Sequence, residues 1–338
     1  MNARDLQHLY RKSSRSFYRA SANSAAFFGL LAVSIFTWSQ GLWYLSVACW
    51  IVQAHVGHVS ALAFHEASHY TLHPRRSVNE SFGIVIGCFL LTPLSAYRYA
   101  HNQHHTNLGT SRDPDLWPYC NPATPRWLRL LAVVGELVFA FFYTPFLFLR
   151  SAVLVERLPA STQRRIVVEY ALIAAVWGTI LAATAYYSAW EWLLVGLVFP
   201  SMIAGNLQSL RKFVEHLGLL GDDVASSTRT VVDPTLFGRI LSHTMLHIDY
   251  HGPHHSYAKI PFHHLPEATA ILYGDGNHPE ETANFYPSYA RACWAMAKTL
   301  YDPRVGKQWV ERPVDVTPSN PGSNPDTSAV PSRHEMCV

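Results

Sequence analysis

Histidine is concentrated in three short stretches of this chain: "HEASH" at 65–69, "HNQHH" at 101–105 and "HIDYHGPHH" at 247–255. In the first, His65 and His69 are four residues apart, so a helix puts both on one face, with His73 continuing the row. In the second, His101 is followed at i+3 and i+4 by His104 and His105. In the third, His251, His254 and His255 repeat that H-x-x-H-H spacing. Neutral imidazole is a ligand for Zn, Cu, Fe and Ni. Without His73 these are eight histidines, more than a tetrahedral zinc site takes. They suit two metal ions, each keeping an open position. His216 in "RKFVEHLG" is a candidate ninth ligand. His247 is a further candidate, although Pro253 interrupts the helix beside it. Asp113 and Asp115 in "SRDPDLW" are placed to accept from histidine ring nitrogens and so fix their tautomers. His55 and His58 read as hydrogen-bonding groups of the core. His73, His243, His263, His264 and His278 read as structural.

The elements that carry these clusters are apolar. Of 338 residues, 49% are hydrophobic, 13% aromatic and only 14% charged. That is well below the roughly 25% charge of soluble domains. A net charge of +3 gives no case for a nucleic-acid partner. The five cysteines are scattered, with no C-x-x-C, which argues against a disulfide framework or a cysteine metal site. A basic segment, 1–23, precedes the first apolar run, which is too long for a secretory signal. Runs at 24–38 and 42–64, broken at "SQG", read as one hairpin of membrane spans. Runs at 166–187 and 192–210, joined at "SAWE", read as a second. Each approaches the roughly 20 residues a bilayer requires. The run 81–97 is short and reads as one buried or interfacial helix. Glu136 and Pro145 in the run 130–149 favour an interfacial or partly inserted helix. A C-terminal helix is expected within 276–310, and the Pro-, Ser- and Asn-rich segment 311–338 reads as disordered. The fold class is therefore all-α and integral to the membrane. It has four transmembrane helices in two hairpins and a helical cap that holds a two-metal site.

Basic residues orient the hairpins. Arg11, Lys12, Arg15 and Arg19 precede the first, and Arg75, Arg76 and Arg98 follow it. Arg157, Arg164 and Arg165 precede the second, and Arg211 and Lys212 follow it. The links at 39–41 and 188–191 carry no Lys or Arg. Positive charge favours the inner side, so both termini and all three clusters are expected in the cytosol.

Taken together, "HEASH", "HNQHH" with the nearby "DPD", and "HGPHHSYAKIPFHHLPEA" resemble the histidine boxes of membrane fatty acid desaturases and their hydroxylase and ketolase relatives. "FVEHLG" is similar to a segment of membrane alkane hydroxylases. The resemblance covers residues 24–275. It implies a non-haem di-iron centre held by His65, His69, His101, His104, His105, His216, His251, His254 and His255. It also implies O2 as oxidant and a lipid or acyl substrate. Electrons would come from ferredoxin or cytochrome b5 through an NAD(P)H-dependent reductase, because the chain has no G-x-G-x-x-G motif and no apparent haem-binding domain. The short first box and the added His247 depart from the pattern.

The chemistry agrees with this. An unactivated C–H bond lies beyond side-chain acid–base chemistry, so the oxidising power must come from a cofactor. An apolar chain is expected to pass residues such as Phe64, Phe82, Leu94 and Trp177. The box "HHSYAKIPFHHLPEA" favours desaturation, whereas "VEHLG" favours hydroxylation of an alkyl or small amphiphilic substrate. Three rivals stand outside this class, one of them a carboxylate-rich ferritin-like di-iron bundle, which needs Glu residues and paired Glu-x-x-His. "HEASH" is also H-E-x-x-H, in which two histidines hold zinc and Glu66 is the general base of a protease. A histidine-rich metal transporter would need ionisable groups in mid-span, and the spans offer few beyond His55, His58 and Glu169.

Overall fold

The computed structural model describes residues 3–110, 112–119, 123–154, 158–219, 223–274 and 284–300. Five helices are long and apolar enough to cross a membrane: α1 (Ser14–Ser39), α2 (Trp43–Ser68), α5 (Arg126–Leu154), α6 (Ala160–Tyr186) and α7 (Trp190–His216). Two shorter ones, α3 (Arg76–Phe89) and α4 (Leu94–Asn107), lie between α2 and α5. The long helices expose apolar side chains outward, with Phe36 63%, Ile51 64% and Val167 66% exposed. Such faces suit hydrocarbon rather than water.

The first hairpin turns at "SQG", where Gly41 adopts φ 74°, a conformation that costs a residue without Cβ little. Polar stitches then bind α1 to α2. Thr37 Oγ1 lies 2.7 Å from Ser46 Oγ, and Trp50 Nε1 donates to Ser34 Oγ at 2.8 Å. In α7 a π-helical segment, Leu194–Val198, opens the backbone ladder. Trp50 and Gln53 of α2 use it, donating to the Val195 and Gly196 carbonyls, each at 2.8 Å.

The run 81–97 is not one helix. It breaks between α3 and α4, which meet at a bend of 100°. Pro93 cannot continue α3 and instead opens α4 at φ −58°. The reversal presses the Thr92 carbonyl onto Gly87, where a Cβ would lie 2.5 Å from that oxygen. The row His65, His69, His73 is also shorter than its spacing predicts. Helix α2 ends at Ser68 and Tyr70 turns to φ 60°. His73 therefore leaves the shared face, and its Nδ1 accepts from the Arg75 amide at 2.9 Å.

Helix α5 is kinked at Phe139 and contains Pro145. Its Glu136 is fully buried and satisfied, facing Ser209 Oγ at 3.0 Å, Lys212 Nζ at 2.5 Å and the Tyr119 hydroxyl. Beyond α7 the chain forms α8 (Leu236–Thr244), α9 (His251–Ser256), α10 (Leu265–Tyr273) and α11 (Tyr289–Thr299). Residues 230–231 and 285–286 form a short parallel pair. That pair holds the start of α9, because Val231 N donates to Asp249 O at 2.9 Å and Gly252 N to Thr230 Oγ1 at 3.0 Å. Helix α11 lies inside the stretch 276–310, while residues 275–283 and 301–338, including the segment read as a disordered tail, lie outside the described residues.

Candidate metal centre

Each histidine cluster is placed by the end of an element. His65 occupies the last turn of α2 and His69 caps it. His101, His104 and His105 sit on one side of α4, and His216 is the last residue of α7. His251, His254 and His255 occupy the six-residue helix α9. These four elements bring all nine histidines into adjoining groups. One contains His65, His69, His101, His105 and His254; the other contains His104, His216 and His255, with His251 joining His216 and Glu215. Stacked His105 and His255 rings, 4.1 Å apart, connect the groups.

Outer contacts orient the rings. His104 Nδ1 lies 2.8 Å from Asp113 Oδ2, and His101 Nδ1 lies 3.3 Å from Asp115 Oδ2. His216 Nδ1 faces the Ser227 carbonyl at 3.4 Å. Nitrogens on the far side of these rings then converge. His101 Nε2 is 3.1 Å from His105 Nε2, and His216 Nε2 is 2.7 Å from His251 Nε2. A carboxylate or carbonyl on one ring nitrogen with the other turned inward is the arrangement of ligating histidine.

Unpartnered nitrogens test whether the group fits metal. Among the described residues, both ring nitrogens of His254 and of His255, together with His69 Nε2, are buried without a hydrogen-bond partner. Each such group costs about 1–3 kcal/mol if left unmet. Burial, followed by the neighbouring His69 imidazole, holds His254 well below the ordinary histidine range. Burial and then His105 do the same to His255. Neutral rings with inward lone pairs are the donor set that divalent metal requires, so these residues fit a two-metal centre.

His247 is not brought in. It adopts φ 50°, its Nδ1 lies 2.9 Å from Ser242 Oγ, and its ring packs near His243 and Tyr250. His58 is buried on α2 and His55 Nε2 meets Thr244 Oγ1 at 3.1 Å. Glu66 does not stand as a protease base. Its Oε2 accepts from Thr71 Oγ1 at 2.7 Å and from the Phe262 amide at 3.3 Å, so it ties the end of α2 to the segment that follows the third cluster. Sequence reasoning missed Glu215, whose Oε2 lies 3.5 Å from His251 Nδ1 and is paired with Arg211. Its signal was the acid immediately before His216.

A largely apolar cavity opens between the helices beside this centre, lined by Phe27, Phe64, Ile86, Ala140, Phe141 and Ala204 among others. Tyr97, Thr144, Phe148 and Gln208 line both this cavity and the adjoining chamber that holds His65, His101, His104, His216 and His251. Of the four residues expected along the substrate path, only Phe64 lines the cavity. Phe82 and Leu94 are packed into the core, and Trp177 Nε1 donates to the Cys88 carbonyl at 2.8 Å. Their apolar character carried no information on which side of a helix they occupy.

Long apolar helices that end in a double histidine group, fronted by a largely apolar cavity, define the class: a helical protein of membrane type with histidine groups able to hold metal beside an apolar cavity. The family model for fatty acid desaturases matches residues 41–280. The chain belongs to the fatty acid desaturase family and is an oxidoreductase. It is also 22% identical over 244 residues to the sn-1 acyl-lipid omega-3 desaturase (ferredoxin) of Nostoc sp. (strain 36), an alignment covering 68% of each chain.

Proposed function

We propose that this chain is an O2-dependent di-iron oxidase that introduces a double bond into the aliphatic chain of an acyl or lipid substrate. The observation that carries this reading is the convergence of nine histidines into two adjoining groups at the end of an apolar cavity. Iron, with O2 and electrons from a ferredoxin-type donor or cytochrome b5, would supply the oxidising power that side chains lack. The ligands would be His65, His69, His101, His105 and His254 in one group and His104, His216, His251 and His255 in the other.

The chain's own residues do the rest. Asp113 and Asp115 hold protons on His104 and His101 Nδ1, leaving Nε2 free to ligate. The apolar cavity takes the hydrocarbon and excludes water. Tyr97, Thr144, Phe148 and Gln208 stand where cavity and centre meet and determine which carbon is presented.

We also propose four spans, α1, α2, α6 and α7, with both termini and the metal centre in the cytosol. Chain geometry supports this reading. Helix α4 carries metal-group histidines, yet Ser95 at its start donates its amide to Glu169 of α6 at 2.9 Å. The elements before and after α5 thus meet at the same end of the bundle. A single complete crossing by α5 would separate them, which supports a path for α5, kinked at Phe139, along the cap side.

Metal analysis with Mössbauer spectroscopy on iron-57-grown protein tests the centre. The expected result is about two coupled irons per chain, the occupancy that two ligand groups would hold. One zinc and no iron would overturn the reading. Lipid profiling of expressing cells then separates new double bonds from new hydroxyl groups, and hydroxyl products would select the hydroxylase alternative.

A further inference from the structure

Both long helices that deliver ligands do so at their C-terminal ends. A helix end leaves its last carbonyls without intrahelical donors, so a ligand placed there sits on the least constrained turn. Each of these two ends is closed by an arginine from elsewhere in the chain, half-buried Arg98 at one and buried Arg229 at the other.

At the end of α2, Arg98 of α4 donates from Nε to the Ser68 carbonyl at 2.8 Å and reaches the Ala67 carbonyl from Nη2 at 3.5 Å. Its Nη1 meets Glu80 Oε1 at 3.0 Å, and its guanidinium lies 4.2 Å over the Tyr70 ring. The guanidinium thus clamps the turn between His65 and His69 to the helix that carries His101. At the end of α7, Arg229 is 1% exposed. Its Nη1 donates to the Val214 carbonyl at 3.0 Å and the Leu217 carbonyl at 2.8 Å. Its own amide donates to Glu215 O at 2.8 Å. The carbonyls on either side of His216 are thereby held by one residue.

We propose that Arg98 and Arg229 are positioning residues, each holding the ligand geometry of one metal group: Arg98 the group of His65 and His69, Arg229 the group of His216. This rests on the di-metal reading above. Two physical effects oppose each other here. Each guanidinium is a cation near a site for cations, so removing it lowers electrostatic repulsion. Removing it also frees the turn that carries the ligands. The number of carbonyls each arginine holds puts the geometric effect in control. Lysine, with one compact ammonium, cannot reproduce the forked contacts.

The test uses the full-length protein in detergent, stripped of metal and titrated anaerobically with iron-57(II). R98M is expected to weaken one of two irons by roughly ten- to a hundredfold, the usual effect of losing an outer orienting contact. The retained iron should be lost on adding His104→Ala but not on adding His65→Ala. R229M should show the reverse pattern, and R98K and R229K should recover part of the lost affinity. Unchanged or tightened affinity, or equal weakening of both irons, would overturn the proposal. Should a methionine variant fail to fold, R98Q and R229Q, which keep neutral donors, are scored in the same way. Hydrogen exchange on the metal-free proteins separates this proposal from the metal assignment. Amides at 65–71 should exchange faster in R98M alone, and those at 213–219 in R229M alone. Exchange unchanged in both variants refutes the caps. A wild-type chain that takes up no iron refutes the di-metal reading, and exchange then decides the caps by itself.

Discussion

Replacing Asp113 isolates how much the surroundings of a ligand contribute to metal binding. Its carboxylate stands 2.8 and 2.9 Å from His104 Nδ1, and both residues are buried, at 1% and 2% exposure. Asp113→Ala removes the acceptor and leaves a buried ring N–H unmet, at a cost of about 1–3 kcal/mol. The same change releases the tautomer that turns Nε2 inward, so the cost falls on the metal-bound state. At about 1.4 kcal/mol per factor of ten, metal affinity in the His104 group should fall by roughly 5- to 150-fold. Asp113→Asn retains an acceptor without charge and should fall between the variant and wild type. Asp115→Ala provides an internal scale, because its contact to His101 is longer at 3.3 Å and its effect should be smaller. Anaerobic iron titration followed by Mössbauer spectroscopy reads all three. Wild-type affinity in Asp113→Ala, in a protein with an unchanged melting curve, would refute the orienting role.

Other substitutions probe separate parts of the molecule. His104→Ala should abolish turnover and lower iron content, whereas His247→Ala should leave iron stoichiometry unchanged, as metal analysis of the two variants will show. Gly205→Ala should destabilise the crossing of α5 and α7 by about 1–3 kcal/mol, because its Cβ would lie 2.8 Å from the Phe141 backbone nitrogen; a melting temperature equal to wild type would contradict that contact. Ala61→Phe should fill the cavity one turn before His65, leaving iron content intact while reducing turnover of long chains, and unchanged chain-length preference would remove this cavity as the substrate path. A protease site engineered between residues 112 and 119 should be cut in inside-out vesicles and spared in right-side-out ones.

Much of the fold was legible because the relevant signals are local. Helices long and apolar enough to cross a membrane appear at each of the four apolar runs read as hairpins, and α5 makes a fifth; α1 extends back to Ser14 under a side-chain cap from Ser13. The run 81–97 misled because apolarity alone does not reveal a turn. Pro93 was visible, but the close approach of Thr92 to Gly87 depends on atoms brought together by the 100° bend. The third member of the row in "HEASHYTLH" misled for a related reason: helical spacing continues on paper past Ser68, while the backbone reverses at Tyr70.

The sequence by itself determined which residues could bind metal, because H-x-x-x-H and H-x-x-H-H spacings are set by helical periodicity over a few residues. It also determined that those residues stand beside long apolar runs. The tertiary structure alone decided the grouping of nine histidines, which splits the second and third clusters between two groups, and the placing of His247 outside both. It also decided that Glu66 serves as an anchor and that Arg98 and Arg229 close the helix ends. These depend on contacts between residues far apart in the chain, such as Glu66 with Phe262 or Arg229 with Val214. No local pattern encodes such a pairing, because it exists only once the helices have packed.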